Sequence, residues 1–93
     1  MRVRFSSRAE EDILNAVRHI AADNPNAARI VSRRIREAAE RLRDLPKIGR
    51  VGRVESTRER PVSRTPYLLI YRLDEDEVVV LRILHGRQNW PSI

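Results

Sequence analysis

The chain has no cysteine, so a disulfide framework and a thiolate metal site are both excluded, and nothing argues for an oxidising compartment. It also lacks a long apolar run. The longest aliphatic stretch is the four residues Val78 to Leu81, and the opening "MRVRFSSRAEED" has no signal-peptide core, so a cytoplasmic protein without a membrane span is expected. His19 and His85 lie far apart, with no H-x-x-x-H spacing and no acidic cluster beside either, so neither a metal nor a cofactor is expected. Gly49 and Gly52 lack the spacing and the lysine-serine pair of a phosphate loop, and no serine-nucleophile signature occurs.

What is present in quantity is arginine: eighteen against the single Lys47, with a net charge of +6. A guanidinium keeps its charge when partly desolvated and grips carboxylate or phosphate through two parallel hydrogen bonds. The composition therefore suits an acidic protein partner or nucleic acid. The charge is spread evenly, ten basic residues against seven acidic before Pro46 and nine against six after it, so no charged tail stands apart. At 93 residues the chain fits one domain spanning 1–93, which would bury roughly two thirds of the surface of its unfolded form.

Val3 and Phe5 alternate with Arg2 and Arg4 as in a short strand. "SRAE" follows, with Ser7 and Glu10 spaced as a capping box, and Ala9, Ile13, Val17 and Ile20 form one stripe, so a helix over about 8–22 is predicted. "DNP" makes Asn24 the cap of a second helix with Pro25 in its first turn. Its seam is Ala28, Val31, Ile35, Ala38, Leu42 and Leu45, and Pro46 is expected to end it. The short link makes the two helices a hairpin. In the irregular stretch that follows, 57–62 is the best strand candidate, with Pro61 allowed only at an edge, a bulge or a strand end. "YLLIYRL" and "VVVLRIL", joined by the acidic turn "DEDE", read as an antiparallel hairpin. The expected layout is α+β, β-α-α-β-β-β, with the helical hairpin on one face of a small, mainly antiparallel sheet.

Pairing Leu73 with Val78 and alternating outward puts Leu68, Ile70, Val79, Leu81, Ile83 and His85 on one sheet face. Tyr67, Leu69, Tyr71, Val80, Arg82 and Leu84 fall on the other. The more aliphatic first face is the one expected under the helices. That leaves the second, with its phenols and Arg82, open to a partner. For chemistry, the residues offer the parts of a metal-free RNA cleavage: His85 as base or acid, Arg82, Arg87, Arg60 and Arg64 for phosphate, and Tyr67 or Trp90 to stack on a base. The alternative is structural, with His85 bonded at a strand end and Trp90 plugging the core.

"AEEDILNAVRHIAADNPNAA", "LPKIGRVGR", "TRE" followed by "TPYLLIYRL", and "VVVLRILHGRQNWP" occur in an order that resembles the RelE/ParE superfamily of toxins from type II toxin-antitoxin modules, many described as plasmid stabilisation proteins. The resemblance spans nearly the whole chain. It implies a toxin held silent by a cognate antitoxin, whose acidic tail wraps it in a hetero-oligomeric complex and whose separate domain binds operator DNA. Arg58, Arg60, Tyr67, Tyr71, Arg82, Arg87 and Trp90 are then the groups expected to meet antitoxin or target. In the RelE-like branch, which cuts mRNA on the ribosome, the working groups would be Arg64, Arg82, His85 and Arg87. Here Ser63 stands where that branch has an arginine, and the terminal tyrosine has no counterpart near Ile93. The ParE-like branch inhibits DNA gyrase without known catalytic groups, has a long helical hairpin like this one, and is the expected assignment. A degenerate toxin that only binds antitoxin is a third possibility.

Overall fold

The computed structural model describes residues 1–91. Strand β1 (Arg2–Phe5) leads into helix α1 (Ser7–Ala21) and helix α2 (Pro25–Arg41). Four strands follow: β2 (Arg50–Val51), β3 (Arg58–Pro61), β4 (Tyr67–Leu73) and β5 (Glu77–His85). They form one sheet in the order β1-β5-β4-β3-β2, antiparallel except where β1 runs parallel to β5. The two helices pack against one face, which is the expected α+β architecture with one added strand, the two-residue β2 at the edge.

The helix ends follow from local chemistry. Ser6, not Ser7, caps α1: its hydroxyl accepts from the Ala9 N–H at 3.0 Å and donates to the Leu81 carbonyl at 3.0 Å, tying the helix start to β5. Glu10 does not reach back to close a capping box but pairs with Arg36 of α2 at 3.2 Å, because the hairpin brings that guanidinium closer. Asn24 caps α2 as predicted, accepting from Ala27 N–H at 3.1 Å, with Pro25 in the first turn. Helix α2 stops at Arg41, short of Pro46, in a tight turn where Leu45 N–H bonds the Arg41 carbonyl. The seam therefore ends at Leu42, and Leu45 is 54% exposed.

The core between helices and sheet is Ala9, Ile13, Ile35, Ala39 and Leu42 against Leu69, Tyr71, Val78, Val80 and Ile83, with Val3 and Phe5 beside them. The covered face is thus the opposite of the expected one on β4. Two physical facts account for this. Tyr71 packs as a core residue because its hydroxyl is satisfied, donating to the Pro46 carbonyl at 2.7 Å and accepting from the Gly49 N–H at 2.9 Å. In addition, Leu73 pairs with Val78 as predicted, but a bulge at Leu81 shifts the register between Ile70 and Tyr71. One extra residue swings Ile83 and His85 to the helix side.

Side chains cap the part of β5 that the short edge strand β1 leaves uncovered. β1 covers β5 only through Val80. Beyond it, Ser6 takes the Leu81 carbonyl, the Asp12 carboxylate takes the Ile83 N–H at 3.0 Å, and the Gln88 carbonyl oxygen takes the His85 N–H at 2.7 Å. On the far side, β2 pairs only Arg58 and Glu59. Val62 N–H points inward to Tyr67, so alternation aims Pro61 outward, where it has no N–H to offer.

Candidate partner-binding surface

Register assigns Arg2, Arg4, Arg50, Glu59, Ile70, Arg72, Val79 and Leu84 to the sheet face without helices. Ile70, Val79 and Leu84 are nevertheless buried, and their cross-strand neighbours include Arg4, Arg72, Glu59 and Arg82, whose stems can cover apolar surface while the charged ends stay wet. The guanidiniums here are not free. Arg4 lies 3.3 Å from Glu77, Arg72 lies 3.1 Å from Asp74, and Arg50 lies 2.8 Å from Glu59, which Arg53 also approaches. The arginines of this face are therefore engaged in internal ion pairs, Arg2 and Arg4 sharing Glu77 and Arg50 and Arg53 sharing Glu59, and the face keeps a positive excess.

The Glu59 side chain is 0% exposed. Burial works against its charge, but the Arg53 backbone N–H, the Arg50 hydrogen bond and the two positive charges together hold its carboxyl below the ordinary glutamate value.

The residues expected to form a cleavage centre are dispersed. Arg82 is bidentate to Asp12 of α1, at 2.7 and 3.2 Å, and the same carboxylate caps Ile83. Arg64 sits on the turn between β3 and β4. His85 and Arg87 remain together at the C-terminal corner: the His85 ring meets Tyr67 edge-on with centroids 5.5 Å apart, and its Nδ1 accepts the Arg87 N–H at 3.1 Å, placing the proton of the neutral ring on Nε2. Trp90 lies half-buried in a small cleft with Leu68 and Leu84, its carbonyl accepting from Arg53 and its indole N–H shut away without an acceptor among the described residues. That placement fits a plug better than a stacking platform. Ile93 lies outside the described residues.

Two expected partner contacts are structural. Tyr71 is 0% exposed, and burial pushes its hydroxyl above the ordinary value, against the Gly49 N–H and the Arg58 and Arg60 charges. Arg58 donates to the Gly49 carbonyl at 2.8 Å, closing the connection from α2 to β2.

Arg60 has a different setting. Among the described residues ten of the eighteen arginines pair with a carboxylate. Of the other eight, four (Arg34, Arg41, Arg60 and Arg64) line one groove of about 380 Å³ between α2 and the end of β3, over a floor that includes Ala38, Ile48 and Val62. Its one acid, Glu37, pairs with Arg33 outside it. Arg34 and Arg41 were not singled out from the sequence, although the spacing Arg34, Ala38, Arg41 sets them on one helical stripe.

The match to known proteins covers most of the chain. A family model described as the ParE toxin of the type II toxin-antitoxin system parDE matches residues 3–90. A Sinorhizobium fredii protein named "Putative toxin Y4kP" is 37% identical over 92 residues, 99% of this chain and 95% of that protein. Among solved structures, a chain of the chromosomal ParDE system from P. aeruginosa superposes with a TM-score of 0.84 at 23% identity, over 91% of this chain and 95% of that one. A chain of the RelBE2 toxin-antitoxin complex from Mycobacterium tuberculosis gives 0.58 at 28% identity, over 90% and 88%.

Proposed function

The chain belongs to the ParE toxin family, and from that premise we propose that it arrests growth by inhibiting DNA gyrase without catalytic groups of its own, and is neutralised by direct contact with a cognate antitoxin. The observation that carries this reading is the dispersal of the cleavage set. A guanidinium already locked to Asp12 cannot also stabilise a developing phosphorane charge, and Arg64 lies on a different rim from His85. What a non-enzymatic inhibitor needs is a rigid surface, and the capped sheet supplies one. The antitoxin reading draws on the family and on the solved neighbours, which are titled as toxin-antitoxin systems. In this reading the complex is hetero-oligomeric and cytoplasmic, serves plasmid stabilisation, and meets operator DNA only through the antitoxin. No helix among the described residues is long and apolar enough to cross a membrane.

The test is direct. Purified protein added to gyrase and relaxed plasmid should block supercoiling or trap cleaved DNA, and a translating extract should keep its mRNA intact. His85→Ala should leave growth arrest unchanged. Codon-position cuts in translated mRNA, lost in folded Arg87→Ala, would establish the ribonuclease alternative. Expression with no growth arrest would point to a degenerate, antitoxin-binding form.

A further inference from the structure

We infer that the outer face of the helical hairpin is a self-association surface, on which a second copy of this chain packs its α1 antiparallel to the first about a two-fold axis beside Leu14. The contact is independent of the gyrase and antitoxin readings above.

Shape is the first support. Leu14 is 47% exposed, and among the described residues it is the one exposed large apolar side chain in either helix. Beside it lies a hollow of about 450 Å³ between α1 and α2, with Ile13 and Val17 on one wall and the small Ser32 on the other. Each copy therefore offers a knob and a place to seat one on the same face, as a self-complementary two-fold interface requires.

Charge is the second. Helix α1 carries three acids in its first turns and two arginines. Glu10 pairs with Arg36 of α2, and Asp12 takes both Arg8 and Arg82. Glu11 and Arg18 are left over, both exposed and without an ion-pair partner among the described residues. They stand three residues before Leu14 and four after it, so the three share one stripe of the helix. Running a second α1 in the opposite direction brings Glu11 of each copy opposite Arg18 of the other, level to within about one 1.5 Å rise. A parallel pair would set Glu11 against Glu11 and Arg18 against Arg18, so the stripe selects the antiparallel arrangement. It also selects the occupant: Glu10 and Glu11 border the hollow and oppose a carboxylate-rich segment, whereas a second copy brings the matching guanidinium. A stripe on one 15-residue helix falls short of the roughly 1,200 Å² that stable interfaces bury, so the association is weak and concentration-dependent.

Sedimentation velocity of the full chain from about 10 μM to about 1 mM tests this. Wild type should move from monomer towards dimer across that range, and Leu14→Glu should remain monomeric. Glu11→Arg and Arg18→Glu should each weaken the dimer at least about tenfold, since each change sets like charges together at both symmetric positions. The double variant Glu11→Arg/Arg18→Glu should associate as wild type does, and an equimolar mixture of the two single variants should associate although neither does alone. A wild-type chain that stays monomeric throughout, a dimer indifferent to Leu14→Glu, or a double variant that is not rescued would overturn the inference. So would a monomeric wild type in which Leu14→Glu abolishes antitoxin binding or gyrase inhibition, which would assign the stripe to that other partner.

Discussion

A carboxylate with no exposed surface, such as that of Glu59, keeps its charge only while Arg50, Arg53 and the Arg53 N–H surround it. Its folded-state pKa lies below the unfolded one, so its contribution to stability is complete above the ordinary value of 4.5 and is lost as pH falls through the lower, folded value. Glu59→Gln should therefore be less stable than wild type at neutral pH and should show a shallower fall in stability below about pH 4.5, read from urea midpoints across an acid pH series. Residue types alone could not have singled out Glu59: in "TRERP" it reads as one more solvated charge, and only the pairing of β2 with β3 encloses it. Tyr71 misled for a related reason. A phenol on a strand marks a binding surface or a core equally well until its hydroxyl's acceptor is known, and that acceptor, Pro46, lies twenty-five positions away.

At the scale of elements, the two helices and the β4–β5 hairpin were legible because their signals are local: the asparagine-proline start of α2, the apolar stripes, and an acidic turn between β-rich runs. The bulge at Leu81 carries no such mark, and one inserted residue was enough to reverse half of a face assignment. The joint between α1 and β5 was equally hidden, since Asp12, an aspartate in the first turns of a helix, suits that helix's positive end and needs no other partner to account for it. Its carboxylate in fact collects Arg82 twice and the Ile83 N–H once. Asp12→Ala should cost about 2–3 kcal/mol in chemical denaturation, because it removes charge-assisted bonds and leaves a strand N–H and a largely buried guanidinium without their acceptor. Asp12→Asn, which keeps one oxygen, should cost less.

For the whole molecule, a groove lined by four arginines and one glutamate carries an excess of positive charge whose mutual repulsion works against the free protein. The isolated Arg60→Gln/Arg64→Gln variant should accordingly melt about 1–3 °C above wild type at low ionic strength, with the gap closing in high salt. Sequence could establish the surplus of positive charge but not its location, because pairing is decided by which carboxylates the fold brings near. The outward-facing Pro61 bears on a different matter, namely how recognition systems diverge. With no donor at that position, a binder gains less there from generic main-chain laddering and must read individual side groups. Orthogonality between duplicated copies of such a pair in one cell would then turn on a handful of codons, and cross-talk could be abolished or restored one substitution at a time.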